Sequence, residues 1–407
     1  STPFQWLPMM EPSILNHRLS LLKKGLLPKG VMLKGDSVAW SQVQAVLARG
    51  DTKVAEVLAR GGTKGSIVTD QQLQVDLRVV ESDSFGSLLQ HFTGSKQHNV
   101  ALRERAHRHG LMLSEYGITN MLSSEVEKFS REEDFYQRLD LQFIPPELRE
   151  GLGEVERAEE RTIPDLVELS DIRGDLHIHT KWSDGNESIE NMARAASVMG
   201  YQYIAITDHS RGRGIANGLS EDRLKEQIAE IEGLNRKLQG IKIFTGIEVD
   251  IRSDGSLDFT DDVLEKLDVV IAAVHSAMGQ EQTKMTRRIL MAMENPQVNI
   301  IAHQTCRLLG EREPVALDME AVFQSATRTG TILEINAMPS RLDLKDTYVF
   351  RAREMGVKLL INTDAHDVDH LKMMRFGIGT ARRGWCEPHH ILNTMSGEAL
   401  LASLQGK

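Results

Sequence analysis

From Asp171 onward the sequence predicts an α/β fold, a parallel sheet with helices outside it. Three observations predict it. Short apolar runs recur at Asp175–His179, Tyr203–Thr207, Ile243–Val249, Val269–Val274, Val298–Ala302, Thr331–Ile335 and Val357–Asn362. Helix-like amphipathic stretches lie between them, among them Ile189–Met199, Glu221–Leu238, Thr283–Glu294, Met319–Thr327 and Thr347–Glu354. Most of the runs end in, or are followed within two residues by, His or Asp. Strand–helix units repeated in this way make a barrel-like (β/α) topology the leading expectation, with a doubly wound open sheet as the alternative.

The chain before Asp171 reads differently. Leu21 to Val31 is apolar and Lys-bearing without clean periodicity, and residues 1–35 stay unassigned. Gln42–Leu47 and Lys53–Leu58 read as short helical pieces. They lie in two near-copies, VLARGDTK and VLARGGTK, too few for a repeat architecture. Leu73–Val80 reads as a strand and Ala101–His109 as a helix ended by Gly110. Residues 124–168 are charge-rich, carry Pro145-Pro146, and read as a linker with a helix or two.

Composition narrows the class. The 407 residues allow two or three domains at roughly 100–200 residues each. No apolar run approaches the ~18 residues of a membrane span. Two cysteines, Cys306 and Cys386, make no disulfide framework, and the expected compartment is the reducing cytoplasm. The chain starts on Ser and lacks a signal pattern, which reads as a processed chain or a fragment. Net charge is −10, carried by the rear; the front is mildly basic, a face that suits a polyanion as well as plain solvent. An acidic rear binds phosphate only where cations reverse the local field.

The chemistry sits at the strand ends, where parallel α/β folds build their sites. The first strand carries His177 and His179, with Asp184 in the loop beyond. The next end in Asp208-His209, Glu248 and Asp250, His275 and His303, and the last in Asp364 and His366. Glu334 and Asn336, on the sixth, are weaker candidates. Alternation with period two puts both rings of His-x-His on one face of a strand. Imidazole with carboxylate suits zinc, manganese or iron. These side chains exceed one ion's needs and suit two or three ions with bridging carboxylates. Paired ions clamp the attacking and leaving oxygens of a phosphoryl displacement. Of 14 histidines, six fall at these strand ends; His370, His389 and His390 lie beyond them and read as ordinary histidines.

The stretches DLHIHTKWSDG, ITDHS, GIEVDI, AAVHS, IAHQT and NTDAH resemble, in order, the motifs of the PHP (polymerase and histidinol phosphatase) superfamily. The resemblance covers residues 170 to 400 and implies a distorted (β/α)7 barrel with three divalent ions: manganese, zinc or iron. It implies the metal ligands His177, His179, Asp184, His209, Glu248, His275, His303, Asp364 and His366. Gln304 stands where the family is expected to have proline, a matter of loop stiffness rather than ligation. LQVDLRVV, HFTGSKQHN and HGLMLSEYGI are similar to the end of the palm and the thumb of family X DNA polymerases. LLGERE and GSLDF look typical of the bacterial members' PHP domain.

The organisation so implied is an unassigned 1–35, a partial α+β palm and thumb remnant over 36–123, a linker over 124–168 and a PHP phosphoesterase domain over 169–407. Asp76 would be the third polymerase aspartate, and Thr93, Gly94 and Ser95 would approach the incoming nucleotide. Residues 1–75 hold no Asp-x-Asp, so no polymerase activity is expected from this chain. The resemblance implies instead a metal-dependent 3′–5′ exonuclease on DNA, single-stranded or gapped, with His177, His179, Asp364 and His366 catalytic. Arg307 and Arg341 would stabilise charge at the phosphate, and Lys96, Arg103, Arg105 and Arg108 would hold the DNA backbone. The alternatives are a phosphomonoesterase of the histidinol-phosphatase type and a DNA-binding module whose PHP domain is only structural.

Overall fold

The computed structural model describes residues 30–34, 54–60, 64–70, 72, 74–212 and 214–405. The chain divides into two compact units, residues 1–163 and 164–407.

In the first unit, β1 (Gly30–Lys34), β2 (Val54–Arg60), β3 (Lys64–Thr69) and β4 (Gln74–Val80) form one sheet in the order β1-β4-β3-β2. β1 runs parallel to β4, with Gly30 opposite Asp76. Part of the unassigned 1–35 segment is therefore a strand of this sheet. The helix expected over Lys53–Leu58 is strand β2 instead: Ala, Glu, Leu and Arg favour helix in isolation, and pairing with β3 overrides that preference. The helix expected over Gln42–Leu47 lies outside the described residues.

Helices Phe85–Thr93 and Lys96–Arg108 follow, then a three-stranded antiparallel sheet of β5 (Leu111–Ser114), β6 (Gly117–Asn120) and β7 (Val126–Glu127). Residues 124–163, most of the stretch expected as linker (124–168), contribute core side chains to this unit. Phe135, Tyr136, Leu141, Ile144 and Leu148 are buried. The buried Arg149 guanidinium reaches Glu132 at 2.5 Å and donates from Nε to the Ile144 carbonyl. His98 lies between the Glu154 carboxylate (2.7 Å) and the Tyr136 hydroxyl (2.8 Å). Each charge is buried with a partner, which is what makes its burial tolerable.

The second unit is a near-closed barrel of seven parallel strands in chain order. They are β8 (Gly174–Asp175), β9 (Tyr203–Ile206), β10 (Lys242–Asp250), β11 (Val269–Ala273), β12 (Ile300–Ile301), β13 (Ile332–Asn336) and β14 (Leu359–Asn362). Helices Ile189–Val198, Glu221–Lys237, Asp261–Leu264, Gln282–Glu294, Met319–Thr329 and Asp346–Glu354 connect them, and Met374–Arg383 follows the last strand. Ser188, Ser220 and Asp318 cap three of these helices by accepting from the backbone N–H three residues on.

Period-two alternation sorts the strand side chains. Ile204, Ile206, Val270, Ala272 and Val274 join the layer beneath the helices. Tyr203, Ala205, Phe244, Val269, Ile271 and Ile332 fill the lumen together with Leu400 and Leu404 of helix Gly397–Gln405. On β10 the residues at alternate positions after Phe244 include Glu248 and Asp250, so an apolar floor gives way to acidic groups at the strand ends.

Closure comes from the two outer strands. The chain beyond β8 pairs with the chain beyond β14: His179 N–H donates to the Ala365 carbonyl (2.8 Å) and Ala365 N–H to the His177 carbonyl (3.2 Å). At the opposite end the buried Asn393 amide donates to the carbonyls of Gly174 (2.9 Å) and Ile361 (2.6 Å), and its oxygen accepts from Ile361 N–H (3.1 Å). Asn393→Ala would leave three buried backbone groups unpaired at roughly 1–3 kcal/mol each. Urea unfolding of the variant is expected to show a loss of at least ~2 kcal/mol; a loss under ~0.5 kcal/mol would refute this account of closure.

Candidate metal centre

All nine side chains that the resemblance implied as ligands converge at one mouth of the barrel. Glu248 is the hub. Its Oε2 lies 3.5 Å from His177 Nε2, 3.5 Å from His179 Nε2 and 2.8 Å from His209 Nδ1. Its Oε1 lies 3.2 Å from His275 Nε2 and 3.0 Å from His303 Nε2. Asp364 Oδ1 stands 3.2 Å from His179 and 3.6 Å from His177. Asp184 faces His179 (3.7 Å), His209 (3.6 Å) and His366 (3.5 Å).

Local backbone choices put them there. His303 and Asp364 have positive φ, 27° and 54°, uncommon for residues with a side chain. Gly185 lets the loop after Asp184 lie on the first strand, where a Cβ would come within 2.6 Å of the His179 backbone. Asp208 stands outside the cluster. Its buried carboxylate accepts from the Thr180 N–H (2.7 Å) and hydroxyl (2.6 Å) and from Ser183 and Gln227, which fixes the loop that carries Asp184.

The electrostatics are those of opposite charges held in a dry place. Burial disfavours both charged forms, yet Glu334, Asp364 and Glu248 hold the His177 pKa well above its ordinary value. Burial likewise opposes ionisation of Glu248 and Asp364, and the surrounding imidazoles hold both well below the usual carboxylate range. His179 goes the other way. Burial, with His366 and His209 beside it, pushes its pKa down to about 3, so it stays a neutral donor. Burial opposes the charged forms of His275 and His366 too, but Glu248 and Asp250 raise the first to about 9 and Asp184 and Asp364 the second to about 9.

This donor set fits divalent ions. His177 Nε2, both nitrogens of His179, His209 Nδ1 and Glu248 Oε2 are buried without a hydrogen-bond partner among the described residues. Buried polar atoms are rarely left so. His209 Nδ1 stands 2.8 Å from Glu248 yet makes no hydrogen bond, so the atoms face shared volume rather than one another. Three groups lie close enough to share an ion: His179, Asp184, His209 and His366; His177, His179 and Asp364; and His209, Glu248 and His275.

Other expected residues have different employment. Arg307 donates from Nε to the Arg341 carbonyl (2.8 Å) and from a terminal nitrogen to that of Leu342, so it pins a loop. Arg341 is the cation at the cluster, 3.6 Å from Asp364. Gln304 donates to the Ile301 carbonyl at 2.8 Å. Arg105 is buried and donates to the Leu139 carbonyl at 2.5 Å, whereas Lys96, Arg103 and Arg108 on the same helix are exposed. Asp76 accepts from Ser66 and Gln74, Thr93 donates to the Leu89 carbonyl, Gly94 has a φ of 70°, and Ser95 caps helix Lys96–Arg108.

Sequence reasoning gave Glu334 too little weight and passed over the pairing of Asp250 with His275. His177 Nδ1 meets Glu334 at 2.7 Å, and His275 Nδ1 meets Asp250 at 2.5 Å. His370, read as ordinary, accepts from the His366 N–H. Glu387, His389 and His390 form a further partly exposed group.

Comparison with known proteins follows this geometry. The PHP domain family matches residues 175–336, and the DNA polymerase beta thumb family matches residues 88–150. A probable phosphatase from Syntrophotalea carbinolica is 34% identical over 229 residues, which cover 54% of this chain and 90% of that protein. The chain belongs to the PHP family. A polymerase-type thumb match thus precedes the PHP match in the chain. The DNA polymerase/3′-5′ exonuclease PolX of Bacillus subtilis is 43% identical over 354 residues, 87% of this chain. The chain spans 60% of the length of that relative. A probable phosphatase from a Thermoanaerobacter species is 33% identical over 206 residues, 47% of this chain and 78% of that protein.

Metal binding to the PHP domain is linked to its stability. Mn²⁺ at a hundred times its Kd would stabilise the protein by about 2.7 kcal/mol. Differential scanning calorimetry is expected to show a higher Tm with Mn²⁺ than with EDTA, and a smaller difference in the His177→Ala, His179→Ala double variant. Equal Tm values for the unsubstituted protein under both conditions would count against the metal centre.

Proposed function

We propose that this protein is a metal-dependent phosphoesterase that hydrolyses DNA phosphodiesters, as a 3′–5′ exonuclease. The observation that carries the reading is the convergence of nine imidazole and carboxylate side chains, Glu248 at their centre, in a chain that also has a polymerase-type thumb. In this reading His177, His179, Asp184, His209, Glu248, His275, His303, Asp364 and His366 hold three divalent ions, manganese, zinc or iron. Bound ions of this kind supply Lewis-acid polarisation of a phosphoryl group and lower the pKa of water to about 7.

The chain's own residues bind and orient. Arg341 points its guanidinium at the cluster and takes a phosphoryl oxygen by a charge-assisted hydrogen bond. Arg307 acts through it, by holding the Arg341 and Leu342 carbonyls. The apolar floor of Tyr203, Phe244 and Ile271 keeps water from the cluster's underside. Lys96, Arg103 and Arg108 offer the DNA backbone an exposed basic helix; Arg105 is withdrawn from that role by its burial. We attribute no nucleotidyl transfer to this chain, whose residues 1–75 hold no Asp-x-Asp. The cytoplasm is its proposed location, consistent with two buried free thiols, Cys306 and Cys386. Among the described residues no helix is long and apolar enough to cross a membrane.

The similarity to probable phosphatases over 78% and 90% of their length favours one second reading, a phosphomonoesterase for small molecules. Digestion of 3′- and 5′-labelled single-stranded oligonucleotides with Mn²⁺ separates the two. A stepwise ladder from the 3′ end, lost in the His177→Ala, His179→Ala variant, is expected. Metal-loaded protein that leaves both oligonucleotides intact and hydrolyses a small monoester would replace the first reading with the second. Arg341→Ala is expected to lower kcat/KM by about 100-fold, in the range for loss of one preorganised donor at developing charge. Steady-state kinetics within threefold of the unsubstituted enzyme would remove Arg341 from the site.

A further inference from the structure

Two buried carboxylates stand behind the cluster and belong to none of its ion-sized groups. Glu334 is fully buried, and four donors converge on it. His177 Nδ1 (2.7 Å) and Asn362 Nδ2 (3.0 Å) meet Oε1; His303 N–H (3.0 Å) and Asn336 Nδ2 (3.1 Å) meet Oε2. With Nδ1–H committed to Glu334, the lone pair of His177 is fixed on Nε2, the atom that faces Glu248 and Asp364. Asp250 does the same for His275: Nδ1 meets its carboxylate, and Nε2 faces Glu248.

The group on Asp184 and His366 has no such support. The His366 Nδ1 partner is a backbone carbonyl, that of Asp364. The side chains of Asp184 and His366 are 31% and 28% exposed, against 0–11% for His177, His275, Glu334 and Asp250. Its other two members, His179 and His209, are shared with the inner groups. A neutral imidazole has one lone pair, so a shared histidine serves one ion at a time.

We propose that Glu334 and Asp250 are positioning residues that fix His177 and His275 as Nε2 ligands and so rank the ion positions. The two inner positions, around His177, His179 and Asp364 and around Glu248 and His275, retain their ions. The outer position, on Asp184 and His366, exchanges its ion with solvent. This ranking rests on the metal-dependent reading above and adds an order of loading to it.

The test is metal content by mass spectrometry after desalting, with calorimetric titration of Mn²⁺ into the full chain. The unsubstituted protein is expected to retain two ions and to take up a third only in a weaker class. Glu334→Gln is expected to lose one retained ion and keep the other. Its amide NH₂ would face two donors whichever way it turned, and a lost orienting partner weakens metal affinity about 10–100-fold. Asp250→Ala is expected to lose the other retained ion, and Asp184→Ala only the weak class. Circular dichroism and unfolding in EDTA check that each variant is folded. Three equivalent ions in the unsubstituted protein, or variants that keep every ion or lose all alike while folded, would overturn the ranking. No ion bound to the unsubstituted protein would instead overturn the metal-dependent reading itself.

Discussion

One buried carboxylate, Glu248, with five imidazole rings around it, constrains the second unit more than any other contact. The imidazoles come from the chain beyond three different strands as well as beyond the first, so the carboxylate is satisfied only if those strands meet in one register. Burial penalises its charge, and nearby positive charge is what keeps it ionised. Divalent ions supply positive charge of the same kind while leaving the imidazoles neutral, the form in which they ligate. The strands, their order and their closure into a barrel are the conditions for this one charge to be tolerated.

The barrel separates stability from chemistry along its axis. Phe244 near the base of β10 and Glu248 near its top stand at alternate positions of one strand, and the same pleat that buries the first presents the second. Closure is handled by polar groups at both ends, by Asn393 at the floor and by the pairing of Ala365 with His177 and His179 at the mouth. The mouth pairing thus carries two of the cluster's histidines, which ties the site's geometry to the integrity of the fold. Beyond the cluster, Asp208 and Arg307 spend their charge on loops, one behind Asp184 and the other behind Arg341. The site is held by charged residues that do not themselves take part in it.

Much of the candidate site was legible because each cluster member follows an apolar run, and strand ends in parallel sheets share one face. His177 and His179 needed only the period of a strand to be placed together. The failures were failures of partner. Arg307 and Arg341 look alike in sequence, and only the loop carbonyls at 341 and 342 separate the pin from the half-buried cation at the cluster. Arg105 sits among exposed cations on its helix but meets the Leu139 carbonyl, 34 residues away. Residues 124–168 looked like linker because the stretch is charge-rich and carries Pro145-Pro146, yet two of its charges, Glu132 and Arg149, neutralise each other inside the unit. Val54–Arg60 has helix-forming residues and became a strand because β3 lies beside it.

The sequence by itself determined the parallel α/β class, the seven strands and the residue types at their ends, since these depend on local periodicity and on side-chain chemistry. Tertiary structure alone decided which nitrogen of each histidine faces inward, which carboxylates join the cluster and which stand behind it, and how exposed each group of donors is. Glu334 and Asp250 acquire their places from contacts 157 and 25 residues away in the chain. Such contacts depend on strand register and loop course, and no short-range pattern encodes a hydrogen bond between residues that meet only when a barrel closes.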